Sequence, residues 1–297
     1  MEKEEKNGMI IQSISGFYYV EAADSVIYEC RAKGSFRKEK RSPVTGDRVL
    51  FEADGDKGFI TKIGERKNLF VRPPVANIDR LFIVASVDRP KPNLFVVDKL
   101  TAFCRYRGVE PVVVFSKADL GDADAFVQIY QKAGIDAFAC SAAAGTGLAP
   151  FAERINGRLC AFTGNSGVGK SSILNALIPA LSLPTNEISD KLGRGRHTTR
   201  CVTIYAFAGG YVADTPGFSS FEFENGKEKI EKGALAACFP EFAPFAERCR
   251  FYPSCAHRND RGCAVAAAAF DGDIPETRYK SYCRMHDEVK DLPAWKK

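Results

Sequence analysis

The chain has no apolar run long enough to cross a bilayer. Its longest, such as residues 81–87, fall far short of the roughly 20 residues that a spanning helix needs, so none is expected. The opening MEKEEKNGMIIQSISGF mixes both charge signs and lacks an apolar segment followed by a small-residue cleavage site, which predicts a cytoplasmic protein. No internal repeat or low-complexity tract stands out, so repeat architectures are not expected. No charge sign dominates: 42 Lys and Arg against 37 Asp and Glu leave +5, too little to name a partner by itself. A disulfide framework is not indicated either. Of ten cysteines only Cys249, Cys255 and Cys263 sit close together, with His257 among them, which favours reduced thiols and one metal site.

What the chain does contain is enough apolar sequence for about two domains of roughly 150 residues, or three if small ones are present. Short runs at 17–20, 26–31, 48–52 and 58–63 are separated by Thr45-Gly46-Asp47 and Asp54-Gly55-Asp56-Lys57-Gly58, and predict a small β-barrel of the OB-fold kind. Between two of these runs, Arg31, Lys33, Arg37, Lys38, Lys40 and Arg41 face a single acid, Glu39. Such a basic loop on a barrel is a candidate RNA-binding surface. A second basic group, Lys191, Arg194, Arg196 and Arg200, contains no acid and also suits a polyanion.

Arg72-Pro73-Pro74 marks a linker, after which apolar strands at 81–87, 111–115, 159–163, 201–207 and 211–213 alternate with helical stretches. That rhythm predicts a parallel α/β sheet. One helix is expected after Asn93, with Leu94, Val97, Leu100 and Cys104 on one face and Gly108 ending it. From Asn225 the strands stop, and helical sequence at 264–269 and 279–290 follows the cysteine cluster. The expected domains are a barrel over 1–71, an α/β domain over 72–224 and a small helical domain over 225–297.

Gly164-Asn165-Ser166-Gly167-Val168-Gly169-Lys170-Ser171 fits GxxxxGK[ST], follows an apolar strand and opens a helical segment that continues through Ser172. Its glycines let backbone amides wrap phosphates, Lys170 reaches the outer phosphates, and Ser171 offers a hydroxyl to magnesium. About fifty residues on, Asp214-Thr215-Pro216-Gly217 forms a DxxG at the end of a strand. There Asp214 suits magnesium and the Gly217 amide suits a γ-phosphate. Between them, Gly193-Arg194-Gly195-Arg196-His197-Thr198-Thr199-Arg200 ends in threonines where a switch needs a magnesium ligand; Thr199 is favoured, with Thr198 close behind.

The candidates for reading a guanine base are Ser116-Lys117-Ala118-Asp119 and Ser141-Ala142, and both precede the P-loop. In an ordinary GTPase they follow it, so the chain is expected to be circularly permuted. Asp119 would accept from the guanine N1 and N2 groups, Lys117 would lie along the base, and the Ser141-Ala142 backbone would meet O6. The position after DxxG is Phe218, which cannot orient water, so intrinsic hydrolysis should be slow; His197 is the available imidazole. Cys249, Cys255, His257 and Cys263 supply three thiolates and one imidazole, a full tetrahedral set for one structural zinc.

The permuted motif order, the segment GRGRHTTR over 193–200, DTPGF over 214–218 and the closing cysteine and histidine cluster resemble the RsgA (YjeQ) family of circularly permuted GTPases, over nearly the whole chain. The resemblance implies a factor acting late in small-ribosomal-subunit assembly, binding ribosomal RNA and hydrolysing GTP to GDP with magnesium when docked. A monomer without a membrane partner is expected. Two positions depart from the family pattern: Ser116 stands where Asn is usual, a shorter hydroxyl to tie the base loop to the P-loop, and Cys249 and Cys255 are separated by five residues instead of four. The alternatives are a passive GTP-sensing RNA-binding assembly protein and a P-loop ATPase or small-molecule kinase.

Overall fold

The computed structural model describes residues 4–34, 36, 41–71, 73–181, 202–214, 230–258 and 260–290. The chain falls into two compact units, one of Met1–Arg80, Ala149–Phe162 and Glu187–Phe218, the other of Leu81–Leu148, Thr163–Asn186 and Ser219–Lys297. The strands are β1 (Glu4–Ile14), β2 (Phe17–Ala22), β3 (Ile27–Ala32), β4 (Arg48–Asp54), β5 (Lys57–Ile63), β6 (Leu69–Val71), β7 (Pro74–Ala76), β8 (Arg80–Ser86), β9 (Glu110–Ser116), β10 (Asp136–Ala139), β11 (Leu159–Thr163), β12 (Thr203–Phe207) and β13 (Gly210–Asp214). The helices are α1 (Leu94–Tyr106), α2 (Asp124–Lys132), α3 (Ala149–Ile155), α4 (Lys170–Leu177), α5 (Ala243–Ala246), α6 (Ala264–Phe270) and α7 (Glu276–Lys290).

In the first unit, β1 to β5 close on themselves in the order β1-β2-β3-β5-β4-β1, antiparallel except where β3 lies beside β5. This is the expected OB-like barrel. Alternation along the strands sends Ile10, Val20, Cys30, Val49, Phe51 and Ile60 into one core. The sequence reading missed β1, whose start, Glu4-Glu5-Lys6-Asn7, hides any apolar alternation. Within the barrel it serves two neighbours, pairing with β4 over 4–9 and with β2 over 8–14, with a bulge between Ile10 and Gln12. Gly8 sits where the two ladders meet. A Cβ there would lie 2.5 Å from Val20 Cγ1 and 2.6 Å from the Glu21 carbonyl oxygen, so only glycine fits.

Where a linker is expected, β6 and β7 pair antiparallel, with Val71 opposite Pro74. Proline lacks a donor for the ladder and is tolerated at the start of such an edge strand. The same unit contains α3 and β11, with β11 parallel to β13. The expected all-parallel sheet is corrected at β12, which runs antiparallel to β13. Only Ala208 and Gly209 join the two, and a parallel connection needs a crossover of a dozen or more residues. β12 also meets the barrel, where Gln12 Nε2 donates to Thr203 Oγ1 at 2.9 Å.

In the second unit the strands run β10-β9-β8, with β9 and β10 parallel. β8 is buried along its whole length and β9 at all but its first residue, as expected for strands covered on both faces. The Asn93 side chain caps α1 by accepting from the Val96 amide, and Gly108 follows the helix end at φ +67°. Val97, Leu100 and Cys104 are buried as their spacing predicts. Asp98 and Thr101 are buried too, against Arg278 of α7.

Candidate functional site

The P-loop leaves β11 and enters α4 through three glycines whose backbones sit at positive φ, +146° at Gly164, +78° at Gly167 and +91° at Gly169. At Gly164 a Cβ would come within 2.2 Å of the Val84 carbonyl oxygen, so the first turn of the loop has no room for a side chain. Val168 is buried beneath the loop, while Asn165 and Ser166 are exposed and Ser171 and Ser172 are half-buried on the first turn of α4. Lys170 Nζ donates to the Gly164 and Asn165 carbonyls, both at 2.7 Å. Burial lowers its pKa to about 8, because removing an ammonium from water disfavours the charged form.

The base-reading candidates lie in the same unit. Ser116, at the end of β9, donates to the Val168 carbonyl at 2.5 Å, with the Ala85 carbonyl 3.3 Å away. The shorter hydroxyl therefore still ties the base loop to the P-loop. Lys117 adopts a left-handed backbone at φ +57° and its ammonium donates to the Arg89 carbonyl. Asp119 Oδ1 accepts from Ser141 Oγ at 2.5 Å, and that oxygen in turn accepts from the Ala144 amide at 3.0 Å. A paired bridge between Ser141 and Thr146 closes the turn that carries Ala142. Sequence reasoning did not pick out Ala144, Thr146 or Arg89; all three act through backbone groups, which leave no residue-type signal.

Asp214 ends β13 in the first unit, where burial raises its carboxyl pKa. His197, Thr198, Thr199, Gly217 and Phe218 lie outside the described residues, as do Arg37, Lys38, Lys40, Lys191, Arg194, Arg196 and Arg200. Of the first basic group, Arg31, Lys33 and Arg41 are exposed. The Arg31 guanidinium stacks 4.9 Å from the Phe17 ring centroid, and Arg41 Nη2 donates to the Gly64 carbonyl at 2.8 Å.

Cys249, Cys255, His257 and Cys263 bring their ligand atoms within 4.8 Å of one another. Cys249 Sγ lies 3.8 Å from Cys263 Sγ and 3.5 Å from His257 Nδ1. Zinc bonds of about 2.3 Å to sulfur and about 2.0–2.1 Å to nitrogen give tetrahedral edges of about 3.8 Å for S–S and about 3.5 Å for S–N, so the donor set fits. Burial raises the Cys255 thiol, and the Cys263 thiol to about 12, and it lowers the His257 imidazole. A cation is what such a site requires to hold its thiols as thiolates. The extra residue between Cys249 and Cys255 is absorbed in turns at 249–254, where Tyr252 N donates to the Cys249 carbonyl and Ser254 Oγ to that of Phe251.

A P-loop opening α4, with the base-reading candidates written before it in the chain, has the motif order of a circularly permuted GTP-binding protein. Sequence profiles agree: the RsgA GTPase family matches residues 63–224 and the RsgA N-terminal domain matches residues 7–60. The chain is 42% identical over 291 residues to the small ribosomal subunit biogenesis GTPase RsgA of Geobacillus kaustophilus, covering 96% of this chain and 97% of that one. It is 40% identical over 288 residues to the protein of the same name from Streptococcus pneumoniae, covering 95% and 94%. Among solved structures, YloQ, a circularly permuted GTPase, superposes with a TM-score of 0.81 at 33% identity over 98% of both chains. YjeQ from Thermotoga maritima gives 0.81 at 30% identity over 97% and 100%. The chain belongs to the RsgA family of circularly permuted GTPases.

Proposed function

We propose that this GTPase binds the small ribosomal subunit in the cytoplasm as a monomer, through ribosomal RNA, and assists its late maturation by hydrolysing GTP to GDP and phosphate when docked. The observation that carries the reading is the Ser116 bond to Val168 at 2.5 Å, which ties the base-reading loop to the P-loop within one packed unit. Guanine would be read by the Asp119 carboxylate, held in place by Ser141 Oγ, with Lys117 along the base and the Ser141-Ala142 backbone at O6. The amides of residues 164–169 and the start of α4 would cradle the phosphates, with Ser171 and Ser172 on the first turn. Lys170 exchanges its two carbonyl partners for phosphate oxygens, whose negative charge favours its ammonium form.

Ser171, Thr199 and Asp214 would hold magnesium, which would neutralise charge on the phosphates. His197 orients the attacking water, which Phe218 cannot do, and Thr199 and the Gly217 amide sense the γ-phosphate. Zinc at Cys249, Cys255, His257 and Cys263 is structural, since four protein ligands leave no open position. Arg31, Lys33, Arg37, Lys38, Lys40 and Arg41 contact RNA.

The test is the steady-state hydrolysis rate with and without purified small subunits, with ATP as the control nucleotide. Stimulation restricted to GTP is expected. No stimulation while GTP still binds would refute the reading in favour of a passive sensor.

A further inference from the structure

The outer face of the barrel carries a feature that GTP hydrolysis does not use. Glu21 on β2 opposes Met9 on β1, and Met9 opposes Arg48 on β4, so the three form a row across neighbouring strands. Beside it, Asn7 opposes Leu50 and Leu50 opposes Lys62 of β5. Ile10, Val20 and Val49, each one residue along, point into the barrel core, so both rows point outward. With Tyr211 of β13, these residues line a cavity of about 510 Å³, within the roughly 300–1,000 Å³ usual for small-ligand sites.

The lining is chemically mixed in a specific way. Met9 and Leu50 give an apolar floor, and Arg48 and Lys62 are exposed cations. Glu21 and Tyr211 line the same groove, and the phenol pKa is raised by burial and then by Glu21. Glu21 Oε2 is buried and makes no hydrogen bond among the described residues. A buried acceptor left unpaired is destabilising, so it marks a position that a donor would fill.

Two cations, an apolar floor beside an aromatic ring, and an unfilled acceptor match the three parts of a nucleotide: its phosphates, its base and an amino group on that base. We propose that this groove receives one unpaired nucleotide of an RNA chain. Arg48 and Lys62 take its phosphates, Met9, Leu50 and Tyr211 take its base, and an exocyclic amino group donates to Glu21 Oε2. Adenine, cytosine and guanine carry such a group and uracil does not. The proposal rests on reading the chain as a GTPase that works on ribosomal RNA. It adds a route by which RNA touches the nucleotide chemistry, because Tyr211 lies three residues before Asp214 on the same strand.

The test uses the full-length zinc-loaded protein and fluorescent hexamers of adenylate, cytidylate and uridylate, with binding read by anisotropy across a salt series. The wild-type protein should prefer the adenylate and cytidylate hexamers to the uridylate one. Glu21→Leu should erase that preference, weakening the two amino-bearing hexamers by about ten-fold and leaving uridylate nearly unchanged. Arg48→Ala combined with Lys62→Ala, both at exposed positions, should weaken all three and reduce the salt slope by about 1.4. Basal GTP hydrolysis should stay at the wild-type rate in every variant. Absence of a base preference in the wild type, an unchanged preference in Glu21→Leu, or an unaffected double variant overturns the proposal. If small subunits still stimulate hydrolysis by the wild type, such a result removes the groove alone. If they do not, the reading beneath it fails as well.

Discussion

Arg278 is fully buried on α7, where it meets two buried carboxylates. Its Nη1 lies 2.9 Å from Asp98 Oδ1 and 2.8 Å from Thr101 Oγ1 on α1, and its Nε lies 2.8 Å from Glu241 Oε1. The guanidinium also stacks 4.7 Å from the Phe239 ring centroid. Burial alone would lower its pKa, but Asp98 and then Glu241 more than offset that, and the group stays charged. Arg278→Met keeps an unbranched side chain of similar reach but leaves two buried carboxylates without their cation. Asp98 Oδ2 makes no hydrogen bond among the described residues, and the buried Tyr130 hydroxyl beside Asp98 is a neutral donor that does not replace the lost charge. Removing one partner of a buried ion pair costs about 3–5 kcal/mol. With a urea slope of about 3 kcal/mol per molar, the unfolding midpoint of the zinc-loaded protein should fall by about 1–2 M. Hydrogen exchange should rise together in α1 and α7. Replacing the set as a whole, with Asp98→Leu and Glu241→Met added, should recover most of the loss, because the cost lies in the orphaned charge. An Arg278→Met midpoint within 0.2 M or so of wild type would refute this account of the network.

Lys170 gives a pH signature in the nucleotide-free protein. Its folded pKa of about 8 lies below the ordinary 10.5, so above pH 8 the unfolded chain holds the proton more tightly than the folded one. Stability from this group therefore rises between pH 8 and 10.5, by up to about 3 kcal/mol; the difference in urea stability between wild type and Lys170→Met should show that rise, and a flat difference would count against it. Stripping the metal with a chelator, or Cys255→Ser, should cost several kcal/mol and expose α6 and α7 to exchange, since zinc contributes on the order of 10 kcal/mol to small domains of this kind. Stoichiometric zinc release from the wild type is the accompanying measurement. Asp119→Asn should weaken GTP binding by about 100-fold or more through loss of two charge-assisted hydrogen bonds, and leave any ATP binding unchanged. Equal losses for both nucleotides would point away from guanine reading.

The parts legible in the sequence are those in which a residue type and its spacing carry the physics by themselves. The P-loop glycines could be picked out because their backbone conformations exclude most other residues. The cysteine and histidine cluster was visible because soft ligands at short spacing have few other uses. Asn93 and Gly108 bracketed α1 because caps act locally. β1 escaped because Glu4, Glu5, Lys6 and Asn7 suppress the apolar alternation, and its place depends on pairing with β2 and β4. The antiparallel β12 escaped because an apolar strand has no intrinsic direction; the two-residue turn at Ala208 and Gly209 decides it.

The Arg278 network was illegible for a further reason. A carboxylate in a helix is expected to face water, and the apolar face of α1 was defined by Leu94, Val97, Leu100 and Cys104 without Asp98. Its burial becomes possible only when a cation 180 positions away arrives with the opposite charge. Polarity in a folded chain is thus a property of the pair, and no single-residue scale contains it. The consequence reaches the site. α1 is preceded by the loop in which the Arg89 carbonyl accepts from Lys117, and its far face is fastened to the helix that follows the metal cluster. The candidate base-reading loop and the Cys/His cluster therefore share one packed unit, so loosening either end of α1 should act on the position of Lys117.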